Sequence, residues 1–336
     1  REIDGIGGAD VLTSKLAIIG PPTRDDADVG YTFAQVSFDT EQIDYGGNCG
    51  NISAAVGPFA IDEGLVAAVE PVTRVRIHQV NTNCILVADV PVKNGKAQTI
   101  GTCSIDGVPG TGARIMLDFF DTVGATTGNV LPTGRPSDWV MVEGYGEFEV
   151  SIVDAGNVVI FVEANSLGLK GTETCAEIEA NKALMAKMEA IRATCTVKIG
   201  MANSIQEATD APYVPFFAIV SKPESYICAS NGQRVSAEEV DIVSRLSFML
   251  HMHKTYPGTG TVCLGAAARI PGTVVYRQLS DQAKEQQILR IGHPSGTISI
   301  ESVATDTKGR SFARLAYART ARRIMEGLCY VSKDRL

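Results

Sequence analysis

The sequence predicts an α/β (α+β) protein of two related β-rich halves, each wrapped around one buried helix. Three observations carry this reading. Short apolar, β-branched segments separated by Gly, Pro or Asn turns dominate the chain, which holds 33 glycines. Two segments depart from that pattern. Asn48-Cys49-Gly50-Asn51 runs into ISAAVGPFAI, and Pro257-Gly258-Thr259-Gly260 runs into TVCLGAAARI. Each is a Gly-containing turn opening a helix almost free of charge, and such a helix is expected to be buried on all sides. Finally, Gly50 and Gly258 lie 208 residues apart, and each helix precedes a β-rich stretch (72–92 and 273–303), as an internal duplication would arrange them.

The elements follow in order. Segments 72–80, 84–92, 113–120, 139–143, 147–153 and 158–163 read as strands. Residues 172–195 read as an outer helix, with Thr172 as N-cap and an apolar stripe of Ile178, Leu184, Met188 and Ile191. A strand is expected at 214–220. A second outer helix is expected at 236–250, with Ser236 as N-cap and Glu238-Glu239 in its first turn. Strands return at 273–276, 287–292, 297–303 and 311–318. A chain of 336 residues with 45% hydrophobic composition can bury a large core in two domains. The division is placed at 1–155, around a helix near 49–63, and 156–336, around a helix near 258–269, with C-terminal strands crossing back.

Charge and cysteine usage narrow the function. The net charge is −8 and the pI about 5.2, with no basic block, which disfavours nucleic acid as a partner. A small anionic substrate stays compatible, because a local pocket can be positive on an acidic protein. No run of 18 apolar residues suggests a membrane span. No signal peptide is visible, and because the chain opens at Arg1 rather than Met, residues are expected to precede it. None of the eight cysteines forms a CxxC pair, so no metal site is expected, and the thiols read as reduced, cytoplasmic and mostly core-filling. No GxGxxG or P-loop motif points to a cofactor, and none is expected. Association into a homo-oligomer is left open.

The helix starts hold the chemistry. First-turn N–H groups lack intrahelical partners and carry the positive end of the macrodipole, so two such starts aimed at one cleft can hold two carboxylates. Tight turns alone also account for Gly50 and Gly258 taken singly. Cys49 sits at the first start, where a helix favours the thiolate. Pro257, at the matching place in the second half, cannot move a proton. Lys15 is the best partner for Cys49. It closes the Gly-, Ser- and Thr-bearing run from Gly5 and precedes the apolar LAIIG, where desolvation favours the neutral amine. A surface lysine at a strand edge is the plainer alternative. His251 and His253, two residues apart, would diverge, which makes them poor co-ligands and better suited to structural or surface roles. His78 is expected in a solvated strand. Arg74 and Arg76 share one strand face, solvated or facing acids, and Thr133-Gly134 belongs to a loop that either closes over the cleft or does not.

The segments DGIGGADVLTSK, GNCGNISAAVGPFAI, PGTGTVCLGAAARIPGT and IGHPSGTISIE resemble, in the same order, those of the PrpF-type isomerases of methylaconitate, aconitate and methylitaconate. The wider resemblance is to the diaminopimelate-epimerase superfamily. It implies two pseudo-symmetric, β-barrel-like halves around central helices, with the active-site cleft between them. It further implies that Lys15, in the Ser14-Lys15 pair of a TSK motif, and Cys49 act as acid and base. Asn48, Gly50–Asn51 and Gly258–Thr259 would bind substrate, joined by Asn157, which matches a GN motif. His293 and Ser295 belong to the GHPSG signature and are also expected at the site. The family's opening strand with an RGGTSKG-like motif has no counterpart here.

The reading is therefore a cofactor-free isomerase of small unsaturated polycarboxylic acids, shifting a double bond or changing cis–trans geometry. A 4-oxalomesaconate-type tautomerase or methylitaconate isomerase is the near alternative. An amino-acid epimerase, which would need two thiols, and a non-catalytic anion-binding protein are the distant ones.

Overall fold

The computed structural model describes residues 6–8, 13–37, 42–331 and 333. Residues 5 and 9–12 of the glycine-bearing run before Lys15 lie outside them.

Thirteen strands form the path of one large mixed sheet. The first five are β1 (Lys15–Gly20), β2 (Val29–Val36), β3 (Val72–Gln79), β4 (Cys84–Lys93) and β5 (Ile115–Asp118). The next four are β6 (Asp138–Val142), β7 (Gly146–Ala155), β8 (Asn157–Glu163) and β9 (Phe216–Ser221). The chain closes with β10 (Ile242–Phe248), β11 (Ile288–His293), β12 (Gly296–Ala304) and β13 (Phe312–Arg319). Their spatial order is β1-β2-β3-β4-β5-β13-β12-β11-β10-β9-β8-β7-β6.

That order is nearly palindromic about the β5–β13 contact. On one side β2 and β3 pair in parallel, and the crossover between them carries a 3-10 turn (Ile52–Ala55) leading into α1 (Val56–Asp62). Four short helices follow on the chain: α2 (Cys175–Ala180), α3 (Lys182–Lys198), α4 (Ile205–Asp210) and then α5 (Gly258–Ala267). On the other side β10 and β11 pair in parallel, with α5 in their crossover. Parallel strands need such a crossover, so each half holds a β-helix-β unit, and the second half adds another parallel pair, β8 and β9, joined through α2, α3 and α4. The duplication expected from the sequence is thus visible in the topology. The last strand crosses back, because Tyr317 of β13 pairs with Leu117 of β5 as well as with Ile300 of β12.

Strand sequences fit their places. β8 (NVVIFVE) and β9 (FFAIVS) are almost wholly buried and pair in parallel, as continuous apolar runs do when both faces are covered. β3 (VTRVRIHQ) alternates at its start, with Thr73 and Val75 buried and Arg74 and Arg76 outside, paired with Asp89 and Asp28. All ten residues of α5 are buried, which explains its lack of charge. α1 is less enclosed than expected: Val56, Gly57, Ala60 and Ile61 face the core, while Phe59 is exposed.

Several expected elements differ. The helix over 236–250 is a 3-10 turn (Ala237–Glu239) followed by β10. Ser236 and Glu239 do form a capping box, but IVSRLSF, buried over six consecutive residues, is captured by β9 and β11 on either side. The strand at 273–276 is instead α6 (Val274–Gln278), whose N-cap Thr273 accepts from the Tyr276 N–H; α7 (Asp281–Glu285) follows. The single helix over 172–195 starts at the Thr174 cap rather than Thr172 and breaks at Asn181, which ends α2 and caps Leu184 of α3. A boundary at 155 falls inside the β7–β8 hairpin, where Ala155 pairs with Asn157. β7 packs beside α5, and β6 pairs with β7 at the edge of the sheet.

Candidate active site

The two helix starts meet. A Cβ built on Gly50 would lie 3.0 Å from the Gly258 Cα, and one on Gly258 would lie 3.2 Å from the Gly50 Cα. The same two Cβ positions fall 2.2 and 2.1 Å from the Tyr317 hydroxyl of β13. Both glycines are therefore required by close approach to each other and to the tyrosine, and not only by turn geometry. The Tyr317 and Tyr31 hydroxyls are buried without a hydrogen-bond partner among the described residues.

Beside this junction opens a cleft of about 660 Å³, part of it open to solvent. Lys15, Asn48, Cys49, Gly50, Asn51, Asn157, Gly258 and Thr259 line it, so eight of the eleven residues singled out from the sequence come together. Lys15 opens β1 opposite Gln35 of β2, and the Gln35 amide donates to the Ser14 carbonyl at 2.9 Å, fixing where β1 begins. The Cys49 carbonyl accepts from the Ser53 backbone at 3.2 Å and hydroxyl at 2.7 Å, so Cys49 is held at the mouth of the 3-10 turn. In consequence the Lys15 Nζ stands 3.4 Å from the Cys49 Sγ, a hydrogen-bonding contact across 34 residues of chain.

Polar groups converge on the pair. The Asn157 amide donates to the Thr259 hydroxyl at 2.9 Å, joining the β8 start to the first turn of α5. The Asn48 Nδ2 is buried and has no partner among the described residues. Facing these groups is an apolar wall of Phe33, Tyr213, Val214, Phe216 and Phe248, with Phe216 and Phe248 edge to face at 5.0 Å. A cleft with apolar walls and a few convergent polar groups suits a small ligand. Lys15 and Asp44 are lining residues of opposite formal charge, and Asp44 already accepts from the Gly46 N–H.

Other expected residues lie elsewhere. Ser14 is buried next to Lys15 but does not line the cleft. His293 and Ser295 are also buried outside it. The Ser295 hydroxyl donates to the Lys254 carbonyl at 2.6 Å, and its backbone N–H donates to His293 Nδ1, so the GHPSG segment buttresses the loop before α5. His78 is buried rather than solvated, held between Thr23 and Asn83. Thr133 is tied to Asp138, away from the cleft lining. Cys84, Cys195, Cys228 and Cys263 are buried and their thiols are pushed up by that burial, whereas Cys329 is exposed.

The structure adds two residues. His253 lines the cleft. Arg319 lies behind it, 8% exposed, with its guanidinium 4.4 Å from the Tyr317 ring and its Nε donating to the Asn51 side chain at 2.9 Å. Burial lowers this guanidinium from its ordinary value, while Tyr317 and Cys49 act the other way. The one local sign of Arg319 is that it shares the inward face of an apolar strand with Leu315 and Tyr317, and that sign does not say what the cation meets.

Residues 1–332 match the model of a family described as PrpF protein. The chain is 55% identical to 3-methylitaconate isomerase of Eubacterium barkeri, over 100% of this chain and 87% of that protein. It is 39% identical to 4-oxalomesaconate tautomerase of Pseudomonas putida (99% and 85% covered) and 38% identical to 2-methyl-aconitate isomerase of Shewanella oneidensis (99% and 85%). Its fold matches a crystal structure of methylitaconate-delta-isomerase with a TM-score of 0.87 at 55% identity, covering 97% of this chain and 84% of that one.

Proposed function

The chain belongs to the PrpF family, and on that footing we propose that it is an isomerase of small unsaturated di- or tricarboxylic acids, with Lys15 and Cys49 as its proton carriers. The observation that carries this reading is the 3.4 Å contact between the Lys15 Nζ and the Cys49 Sγ, beside two abutting helix starts.

The chemistry is an allylic 1,3-proton shift. The Cys49 thiolate takes the proton from a carbon conjugated, through the double bond, with a carboxylate. The C–H pair moves into the π system, the double bond migrates, and charge gathers on the carboxylate as a dienolate. N–H groups at the starts of the 3-10 turn and α5, with the Asn48 amide, stabilise that charge, each donor contributing about 3 kcal/mol if it acts as a preorganised oxyanion donor. The Lys15 ammonium then delivers a proton to the far carbon. This leaves a thiol and an amine, and one proton passing from sulfur to nitrogen across their direct contact restores the starting pair. Rotation of the intermediate before reprotonation would give the cis–trans product.

Pro257, which also lines the cleft, occupies the second helix start and offers no thiol, which disfavours an epimerase. The same pair would serve a keto–enol shift, and the 39% identity to an oxalomesaconate tautomerase supports that second reading. Turnover of a panel of unsaturated and oxo-substituted di- and tricarboxylates, followed by NMR in D₂O through vinyl signals and deuterium uptake, tests both. Lys15→Ala and Cys49→Ala are each expected to lower kcat by about 10²–10⁴-fold with the far-UV spectrum unchanged. Near-normal turnover in both variants would refute the assignment.

A further inference from the structure

His253 is anchored in an unusual way for a cleft residue. Its backbone N–H donates to the Leu246 carbonyl at 2.8 Å, and its carbonyl accepts from the Cys175 thiol at 3.6 Å. The next residue, Lys254, is pinned through its carbonyl by Ser295. The ring Nδ1 faces the Thr255 backbone N–H at 3.2 Å and the Thr255 hydroxyl at 3.3 Å. A backbone N–H can only donate, so Nδ1 is an acceptor and the ring proton of the neutral form sits on Nε2. No described residue accepts from Nε2, and the ring borders the cleft together with Lys15, Gly258 and Thr259.

We propose that His253 is a third catalytic residue, a neutral imidazole whose Nε2–H donates to the substrate oxygen on which charge gathers as the proton leaves carbon. This rests on the isomerase reading above and deepens it. Lys15 from β1 and Arg319 from β13 disfavour a charged ring, and His293 from β11 is itself held neutral by burial; Asp44 and an ionised Cys49, which also line the cleft, would act the other way, and Lys254 is exposed. Burial is the main cause that holds His253 down at about 4, and the charges of Lys15 and Arg319 add to it. The ring is thus neither a base nor a cation at neutral pH. A neutral donor strengthens its hydrogen bond as an oxyanion develops, without fixing the ground-state carboxylate as tightly as an ammonium would.

The test uses the full chain labelled with ¹⁵N-histidine. Long-range ¹H–¹⁵N spectra are expected to show His253 with a protonated Nε2 and a pyridine-type Nδ1, unchanged between pH 5.5 and 8. Saturated propane-1,2,3-tricarboxylate, which has no double bond to move, is expected to shift the Nε2–H signal. A ring that titrates near 6.5, carries its proton on Nδ1 or ignores the tricarboxylate overturns the proposal. In kinetics, His253→Leu is expected to lose about 10²–10³-fold in kcat with a smaller change in KM, and His253→Gln, which keeps a donor, to recover most of it with the pH limbs of kcat/KM unmoved. A His253→Leu enzyme within threefold of the parent, or a limb between pH 5 and 8 that disappears in His253→Gln, also overturns it. The spectra need no turnover, so they read the tautomer of His253 and its contact with the tricarboxylate whether or not the panel holds a substrate, and a failure of the isomerase reading is told apart from a failure at His253.

Discussion

At the scale of single residues, two enclosed histidines weaken the fold as the pH falls. His293 is 3% exposed and burial holds it at about 4, as it does His253. In the unfolded chain both titrate near their ordinary value, so the unfolded state takes up their protons first as the pH falls. Their contribution to stability is complete above about pH 6.5 and is lost toward pH 4, at about 1.4 kcal/mol per pH unit for each ring. Denaturant midpoints measured in half-unit steps from pH 7 to 4.5 should fall along that window, and the fall should be shallower in His293→Asn. Lys15 and Cys49 were legible in the sequence because their cues are local, a cysteine at a helix start and a lysine opening an apolar strand. His253 and Arg319 were not, because their roles come from neighbours far away in the chain, Lys15 for the one and Asn51 for the other.

At the scale of elements, the junction of the two helix starts is the feature to probe. A methyl group on Gly258 would meet the Tyr317 hydroxyl at 2.1 Å and its Cζ at 2.8 Å. Gly258→Ala should therefore destabilise the protein by about 1–3 kcal/mol through overpacking. Tyr317→Phe removes the oxygen and part of the clash, so the double variant should lose less than the two single losses together, a coupling that chemical denaturation of the four proteins measures. The helix starts themselves could be read from composition, since Gly-containing turns before uncharged segments have few other uses. The segment 242–248 could not. Ser236 and Glu239 form a genuine cap, yet the chain beyond them is a strand, because Ile242, Val243 and Leu246 are buried between two neighbouring strands that no local signal announces.

At the scale of the whole molecule, the halves share a hydrogen-bonded seam. β13 pairs with β5 on one side and β12 on the other, so neither half completes its sheet without the C-terminal strand. Thermal unfolding should accordingly be one cooperative transition, with near-UV and far-UV signals superimposing; two resolved transitions would show that the halves melt separately. The duplication was legible as a 208-residue offset between helix starts, but the seam was not, since it depends on where the last strand lands. The seam has a consequence for ligand choice. Gly50 and Gly258 touch, with the tyrosine of that same last strand wedged against both, so the two anion-ready ends form a caliper whose jaws cannot be reset independently. Evolution of such a protein toward a longer or shorter acid would have to remodel the aromatic flank of Phe33, Phe216 and Phe248 and leave the gauge itself untouched.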